Sequence, residues 1–272
     1  MTTAHELALL RLAAQRVVGP AWTTPAEAVG WLLAAQAQDL PGAQTSIALR
    51  TAGRSVAEVV EAFDAGQIVR AWPMRGTLHA VRAQDAAWLV GLLASRPMAG
   101  AARRRAELGL TDEHLSRARD LVAGALIGGH ARTRAEVLAL WEDGGLPTTG
   151  GRGYHLLAHL AQEGLLCLGP MRRPRDGARV EQAFVLLGEW VPDGRHLDRP
   201  EALAELALRY LRSHGPATVQ DLARWASLTL ADTRAGVAAV ESELATVEVA
   251  GRIYYLDPAT PQVLADHRDE AR

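Results

Sequence analysis

Gln36 and Gln38 stand two residues apart in the stretch from Leu32 to Gly42. Pro41 disfavours helix at Leu40, so Gln36 to Asp39 are expected at a helix exit. Residues two apart point to one side of an extended backbone, whereas on a continuous helix they diverge. Two uncharged amides facing one pocket offer carbonyl oxygens that hold a water without the desolvation cost of buried carboxylates. The plainer alternative is a pair of solvated glutamines at a helix terminus. A second cluster, Arg75, Thr77 and His79, surrounds the Pro/Gly turn within Val69 to His79. Thr77 and His79 share a strand face. Arg75 suits a phosphate, and His79 suits either a phosphate or the orientation of a pocket group. Alternatively, Trp72 and Leu78 are core and the polar residues satisfy one another.

Arg172, Arg173, Arg175 and Arg179 fall on a Pro/Gly-stiffened turn between two short strands. Such a turn suits phosphates or a narrow minor groove, the alternative being a solvated loop. Arg103, Arg104 and Arg105 splay apart on a helix and are expected to be partly structural. His155 and His159, four apart on a helix, offer two metal ligands, but the local motif supplies no convincing third, although Cys167 is near in sequence. No metal and no cofactor are expected, and His159 is expected to pack. Trp22, Trp31, Trp88, Trp141 and Trp225 sit at apolar helical positions and are expected in cores, while Trp72 is expected to border a pocket.

Composition narrows the chemistry. The 272 residues carry 29 basic and 31 acidic side chains, a formal charge of −2, which excludes a generic polybasic coat and leaves local patches to meet any anion. Every strong base is arginine, because the chain contains no lysine, and it contains no asparagine either. A lysine nucleophile, a lysine Schiff base and a P-loop lysine are all excluded. One cysteine excludes a disulfide framework and a four-cysteine zinc site, and fits a reducing, cytoplasmic setting. No apolar run approaches the roughly 20 residues of a membrane span, and no signal peptide is recognisable.

The elements that must position these residues read as mainly α with short β-hairpins. Helix starts are announced by Ser or Thr followed three residues later by an acid, at Thr24–Glu27, Ser55–Glu58, Thr133–Glu136 and Thr218–Asp221. Strand-rich pieces are expected at Ile68 to Trp72, Thr77 to Val81, Leu165 to Leu168, Val180 to Leu187, Val247 to Val249 and Arg252 to Leu256. Thr133 to Leu187 and Thr218 to Leu256 repeat one plan, helix–turn–helix closed by a hairpin, and Thr24 to Val81 is a less regular third copy. That plan is the winged helix, a DNA-binding arrangement. The expected organisation is tandem winged-helix domains: residues 1–82 with the glutamine pair, a helical linker at 83–130, 131–192 with the arginine-rich wing, 198–257, and a tail at 258–272.

The glutamine pair, the run from Trp72 to His79, and Gly153 to Leu157 ahead of Gly169-Pro170 together resemble the AlkZ-type winged-helix DNA glycosylases. The resemblance covers nearly the whole chain. It implies tandem winged-helix domains, excision of N7-alkylated purines and, in some members, unhooking of interstrand crosslinks or natural-product adducts. It assigns the catalytic pair to Gln36 and Gln38. Glutamine at both places resembles the self-resistance branch more than the branch with Gln-X-Asp. One departure is that members usually continue past the third winged helix into a segment not found after Tyr255. The reading from sequence is therefore a monofunctional DNA glycosylase without lyase activity, a monomer acting on double-stranded DNA, with Arg75, Thr77, His79, His155 and the wing arginines toward DNA. The alternative is a non-enzymatic winged-helix regulator or lesion binder.

Overall fold

A computed structural model describes residues 3–172 and 180–271. In chain order the elements begin α1 (Ala4–Ala14), α2 (Pro25–Leu32), β1 (Ala35–Gln36), α3 (Leu40–Ala48), α4 (Val56–Asp64), β2 (Ile68–Met74) and β3 (Thr77–Arg82). Three helices follow without a strand, α5 (Ala86–Leu93), α6 (Ser95–Glu107) and α7 (Asp112–Leu126). Next come α8 (Arg134–Asp143), α9 (Arg152–Gln162), β4 (Leu166–Arg172), β5 (Glu181–Leu186) and the short α10 (Leu187–Trp190). The chain closes with α11 (Arg199–His214), α12 (Val219–Ala226), α13 (Leu230–Val240), β6 (Ala245–Val249), β7 (Arg252–Leu256) and α14 (Thr260–Asp266).

Local chemistry accounts for the helix starts. Thr24, Thr133 and Thr218 each form reciprocal capping boxes with Glu27, Glu136 and Asp221, and Ser55 accepts from the Glu58 amide at 3.3 Å. Each such cap stabilises its helix by about 1 kcal/mol. The β2–β3 and β6–β7 turns each place two residues at positive φ, Arg75 and Gly76 in the first, Ala250 and Gly251 in the second. That is the turn whose twist matches paired strands.

The chain divides into two compact units. One comprises Gln36–Gln38 and Val60–His196, and its five strands run in the order β1-β3-β2-β4-β5. The two hairpins expected in separate modules share this sheet, joined where Arg70 of β2 faces Leu168 of β4. Register shifts occur between Ala71 and Met74 and between Leu168 and Met171, where Pro73 and Pro170 lack an N–H for the ladder. Trp141, Leu156, Leu160 and Leu166 are fully buried behind the sheet, and the Trp141 indole N–H donates to the Ala118 carbonyl at 3.0 Å. Trp72 is 5% exposed, stacks on Phe184 at 6.3 Å and belongs to this core.

The other unit comprises Met1–Ala35, Asp39–Val59 and Leu197–Arg272. Here α11 lies so close to α13 that a Cβ on Gly236 would stand 2.4 Å from the Leu203 carbonyl oxygen. The β6–β7 hairpin is joined by Ala217, which bridges to Tyr255. Leu264 of α14 packs with Leu9, Leu10 and Ala13, so the tail carries a helix seated on α1. Trp22, Trp31 and Trp225 are half-buried rather than core, whereas Trp88 is buried as expected. No helix among the described residues is long and apolar enough to cross a membrane.

Candidate active site

The path into the glutamine pair begins with a forced turn. Helix α2 stops at Leu32, Leu33 adopts φ 66° and ψ −52°, and the Ala34 amide donates to the Leu32 carbonyl at 2.7 Å. A one-residue turn of this sign is strained for a residue with a Cβ and costs on the order of 1–3 kcal/mol. The Leu33 side chain is fully buried, and that burial contributes about 1.5–3 kcal/mol in compensation. Two residues of strand follow, then Asp39 caps α3 by accepting from the Gly42 amide at 3.2 Å. Pro41 therefore does not bar helix at Leu40. It occupies the first turn of α3, where its missing N–H leaves no bond unmade, and the helix exit lies earlier, at Leu32.

Gln36 and Gln38 are both exposed, on either side of fully buried Ala37, with the strand ending at Gln36 and Gln38 standing at the bend that follows. The Ala37 amide donates to the Leu78 carbonyl on β3 at 2.8 Å. The Leu78 amide donates in return, at 3.1 Å, to the side-chain oxygen of Gln38. The ladder thus continues past Ala37 through a side chain. This bond also orients the Gln38 amide: Oε1 faces β3 with a lone pair to spare, and its two N–H donors remain. The Gln36 side chain makes no hydrogen bond among the described residues.

Arg70 reaches the same segment from β2. Its guanidinium donates twice to the Ala37 carbonyl, from Nε at 3.0 Å and Nη2 at 2.6 Å, and once from Nη1 to Gln182 at 2.9 Å. Neither Arg70 nor Gln182 was singled out from sequence. The available signal was a charged residue inside the apolar run Ile68 to Trp72.

The second cluster assembles beside the pair, on β3 and its turn. His79 is 1% exposed, donates from Nδ1 to the Thr77 carbonyl at 3.0 Å and accepts at Nε2 from Arg75 at 3.2 Å. Burial, aided by the Arg75 charge, lowers its pKa from 6.5 to about 4, so the imidazole is neutral. Both its nitrogens are occupied within the protein. Arg75 is exposed at positive φ in the turn, and the Thr77 hydroxyl is buried with no partner among the described residues. The start of α9 lies at this turn, with the Tyr154 hydroxyl 3.5 Å from the Gly76 carbonyl. His155 is half-buried, its ring edge-on to Tyr154 at 5.3 Å, and burial together with Arg104 and Arg105 lowers its pKa. The start of α9 also packs against α8, where a Cβ on Gly153 would meet the Leu138 side chain at 2.4 Å.

Other candidates stand elsewhere. Arg172 is exposed at the end of β4, three strand positions, or about 14 Å, from β1. It helps line a cleft with Arg132, Glu136, Pro170 and Trp190. Arg173, Arg175 and Arg179 lie outside the described residues. Arg103 and Arg104 both pair with Glu107 on their own helix. His159 is 8% exposed and its Nε2 stands 3.2 Å from Glu163. Among the described residues no three His, Cys, Asp or Glu side chains converge as a metal site.

Comparison with known proteins bears on this arrangement. The chain is 28% identical over 254 residues to an interstrand DNA cross-link repair glycosylase of Streptomyces sahachiroi. That alignment takes in 90% of this chain and 65% of the relative, so the chain spans slightly under two thirds of its length. The solved structure of the Streptomyces sahachiroi DNA glycosylase AlkZ superposes with a TM-score of 0.73 at 24% identity, covering 98% of this chain and 73% of that one, and so shares its fold. The model of the AlkZ-like DNA glycosylase family matches residues 29–272, from the middle of α2 through the glutamine strand to the C-terminus, and the chain belongs to that family.

Proposed function

We propose that this chain is a monofunctional DNA glycosylase that hydrolyses the N-glycosidic bond of N7-alkylated purines in double-stranded DNA, including bulky or crosslinked adducts. The observation that carries the reading is the exposed pair Gln36 and Gln38, flanking an Ala37 that is bonded at both its amide and its carbonyl. An N7-alkylated purine is already cationic. When its bond to C1′ breaks, the electron pair neutralises the base, and the sugar acquires oxocarbenium character. Water then adds to C1′ and releases a proton to solvent. Little is asked of an acid, and what remains is to hold the water and stabilise the cationic sugar with fixed dipoles. The two glutamine carbonyl oxygens supply those dipoles jointly.

Family membership supports the activity, and the name of the Streptomyces sahachiroi relative supports crosslinked lesions. The order helix, short strand or bridge, helix, helix, strand, turn, strand recurs at α2 to β3, α7 to β5 and α11 to β7, which supports three winged helices. Domains at 1–82, 131–192 and 198–257 follow from that reading, with the first and second contributing hairpins to one sheet. Arg75, His155 and the wing arginines Arg172, Arg173, Arg175 and Arg179 face DNA in it, while the Thr77 hydroxyl and His79, expected from sequence to do so, are buried, His79 acting by orienting Arg75. The protein acts as a cytoplasmic monomer.

The test incubates the protein with duplex containing N7-methylguanine and measures free base, then repeats the assay with a crosslinked duplex. Base release in several sequence contexts, lost in a Gln36→Ala/Gln38→Ala variant of unchanged melting temperature, is expected. Sequence-preferring binding with no base released from either duplex refutes the enzyme and favours a regulator.

A further inference from the structure

The glutamine segment is held by a buried side-chain network that the hydrolytic chemistry does not itself require. Arg70, 7% exposed, lies on the central strand β2, with β3 between it and β1. Two of its N–H groups converge on the single Ala37 carbonyl, at 3.0 and 2.6 Å, and a third is spent on the side-chain oxygen of Gln182 at 2.9 Å. Gln182, 4% exposed on β5, donates from its other end to the Gly169 carbonyl of β4 at 2.9 Å. Its amide orientation is fixed because both ends are engaged. The chain of bonds therefore runs Gly169, Gln182, Arg70, Ala37, and crosses the whole sheet.

We infer that Arg70 and Gln182 are positioning residues for Gln36 and Gln38. The Ala37 carbonyl lies between the two glutamine side chains, so rotating its peptide plane turns one amide away from the other. Only a guanidinium presents parallel N–H donors to one oxygen while keeping another for a second acceptor. Bonds from a charged donor are about twice as strong as neutral ones. Gln182 in turn holds the guanidinium in plane. The inference rests on the reading of the glutamines as the reacting pair, and displacement of such groups by about 1 Å costs about 100-fold in rate.

Three measurements on Gln182→Met, Arg70→Met and Arg70→Lys test it: amide hydrogen exchange at Ala37 and Leu78, single-turnover release of N7-methylguanine, and affinity for the same duplex. Faster exchange at both amides is expected, with release slowed about 10- to 100-fold and affinity unchanged. Arg70→Lys, which keeps the charge but not the paired donors, is expected to recover only part of the rate. In a Gln36→Ala/Gln38→Ala background, Arg70→Met is expected to cost nothing further. Gln182→Met removes only the distal support and keeps the test in force should Arg70→Met not fold. Native exchange at Ala37 in a folded Gln182→Met or Arg70→Met protein overturns the inference, whatever the activity. Faster exchange combined with full release by Gln36→Ala/Gln38→Ala leaves the positioning network in place and refutes the reading of the pair.

Discussion

Acid should destabilise this protein through His79, and the size of the effect follows from its surroundings. His79 is 1% exposed, and its folded pKa is lowered from 6.5 to about 4, first by burial and also by the Arg75 charge, with the bond to the Thr77 carbonyl opposing. Above pH 6.5 the imidazole is neutral whether the chain is folded or not, and it contributes no pH dependence. Below 6.5 the unfolded chain takes up a proton that the folded chain refuses, so stability falls by about 1.4 kcal/mol per pH unit until the folded group titrates near 4. The loss over that window is about 3 kcal/mol, a large part of the 5–15 kcal/mol that holds a typical domain. Urea unfolding of the native protein and of His79→Gln, at steps from pH 7.5 to 4.5, isolates the effect, because other titrating groups are common to both. The variant should show a shallower loss by about one proton. Leu78 is the neighbour of His79 and binds both Ala37 and Gln38, so base release should fail at the acid end together with folding rather than with a separate midpoint. Equal slopes for the two proteins, or an imidazole resonance of His79 titrating at 6.5 or above, refute the reasoning.

Other consequences are simpler to check. The released product should be free base and an intact strand carrying an abasic site, cleaved only on added alkali or heat; nicking by pure enzyme contradicts a mechanism without lysine. Gly236→Ala should cost about 1–3 kcal/mol, because the new Cβ would meet the Leu203 carbonyl oxygen at 2.4 Å, and a thermal melt would show it. Cys167 is fully buried, which pushes its thiol pKa far up, so it should ignore a thiol reagent in the folded protein and react at once in denaturant. Neutralising Arg172, Arg173 and Arg175 should weaken duplex binding across sequences and flatten its salt dependence, whereas an unchanged salt slope removes the wing from the interface.

Much of the positioning framework was readable from short-range chemistry. Thr24, Thr133 and Thr218 announce helices because a hydroxyl and a carboxylate three residues on answer each other's free amides without help from the rest of the chain. The hairpins at Met74–Thr77 and Val249–Arg252 are legible for a similar reason, since the turn residues and alternating flanks lie within a few positions. The spacing of Gln36 and Gln38 predicts a shared face once the segment is extended; the strand covers Ala35–Gln36, and both glutamines are exposed about a buried Ala37. Pro41 misled because its local rule is conditional. A proline excludes helix before it except where it stands in a first turn, and Asp39 made this a first turn.

The sequence by itself, then, determined the caps, the turns, the mainly helical composition and the candidate residues, all of which depend on neighbours within about one turn of chain. Tertiary structure alone decided that two hairpins share one sheet at Arg70 and Leu168, that Trp72 is core against Phe184, and that Leu33 takes a strained turn paid for by its own burial. It also decided that Arg70 and Gln182, distant in sequence, meet to hold the carbonyl between the two glutamines. The reason is common to all four. Each depends on which surfaces are removed from water together, and a buried hydrogen bond or a strained backbone is stable only when its partners arrive from elsewhere in the chain.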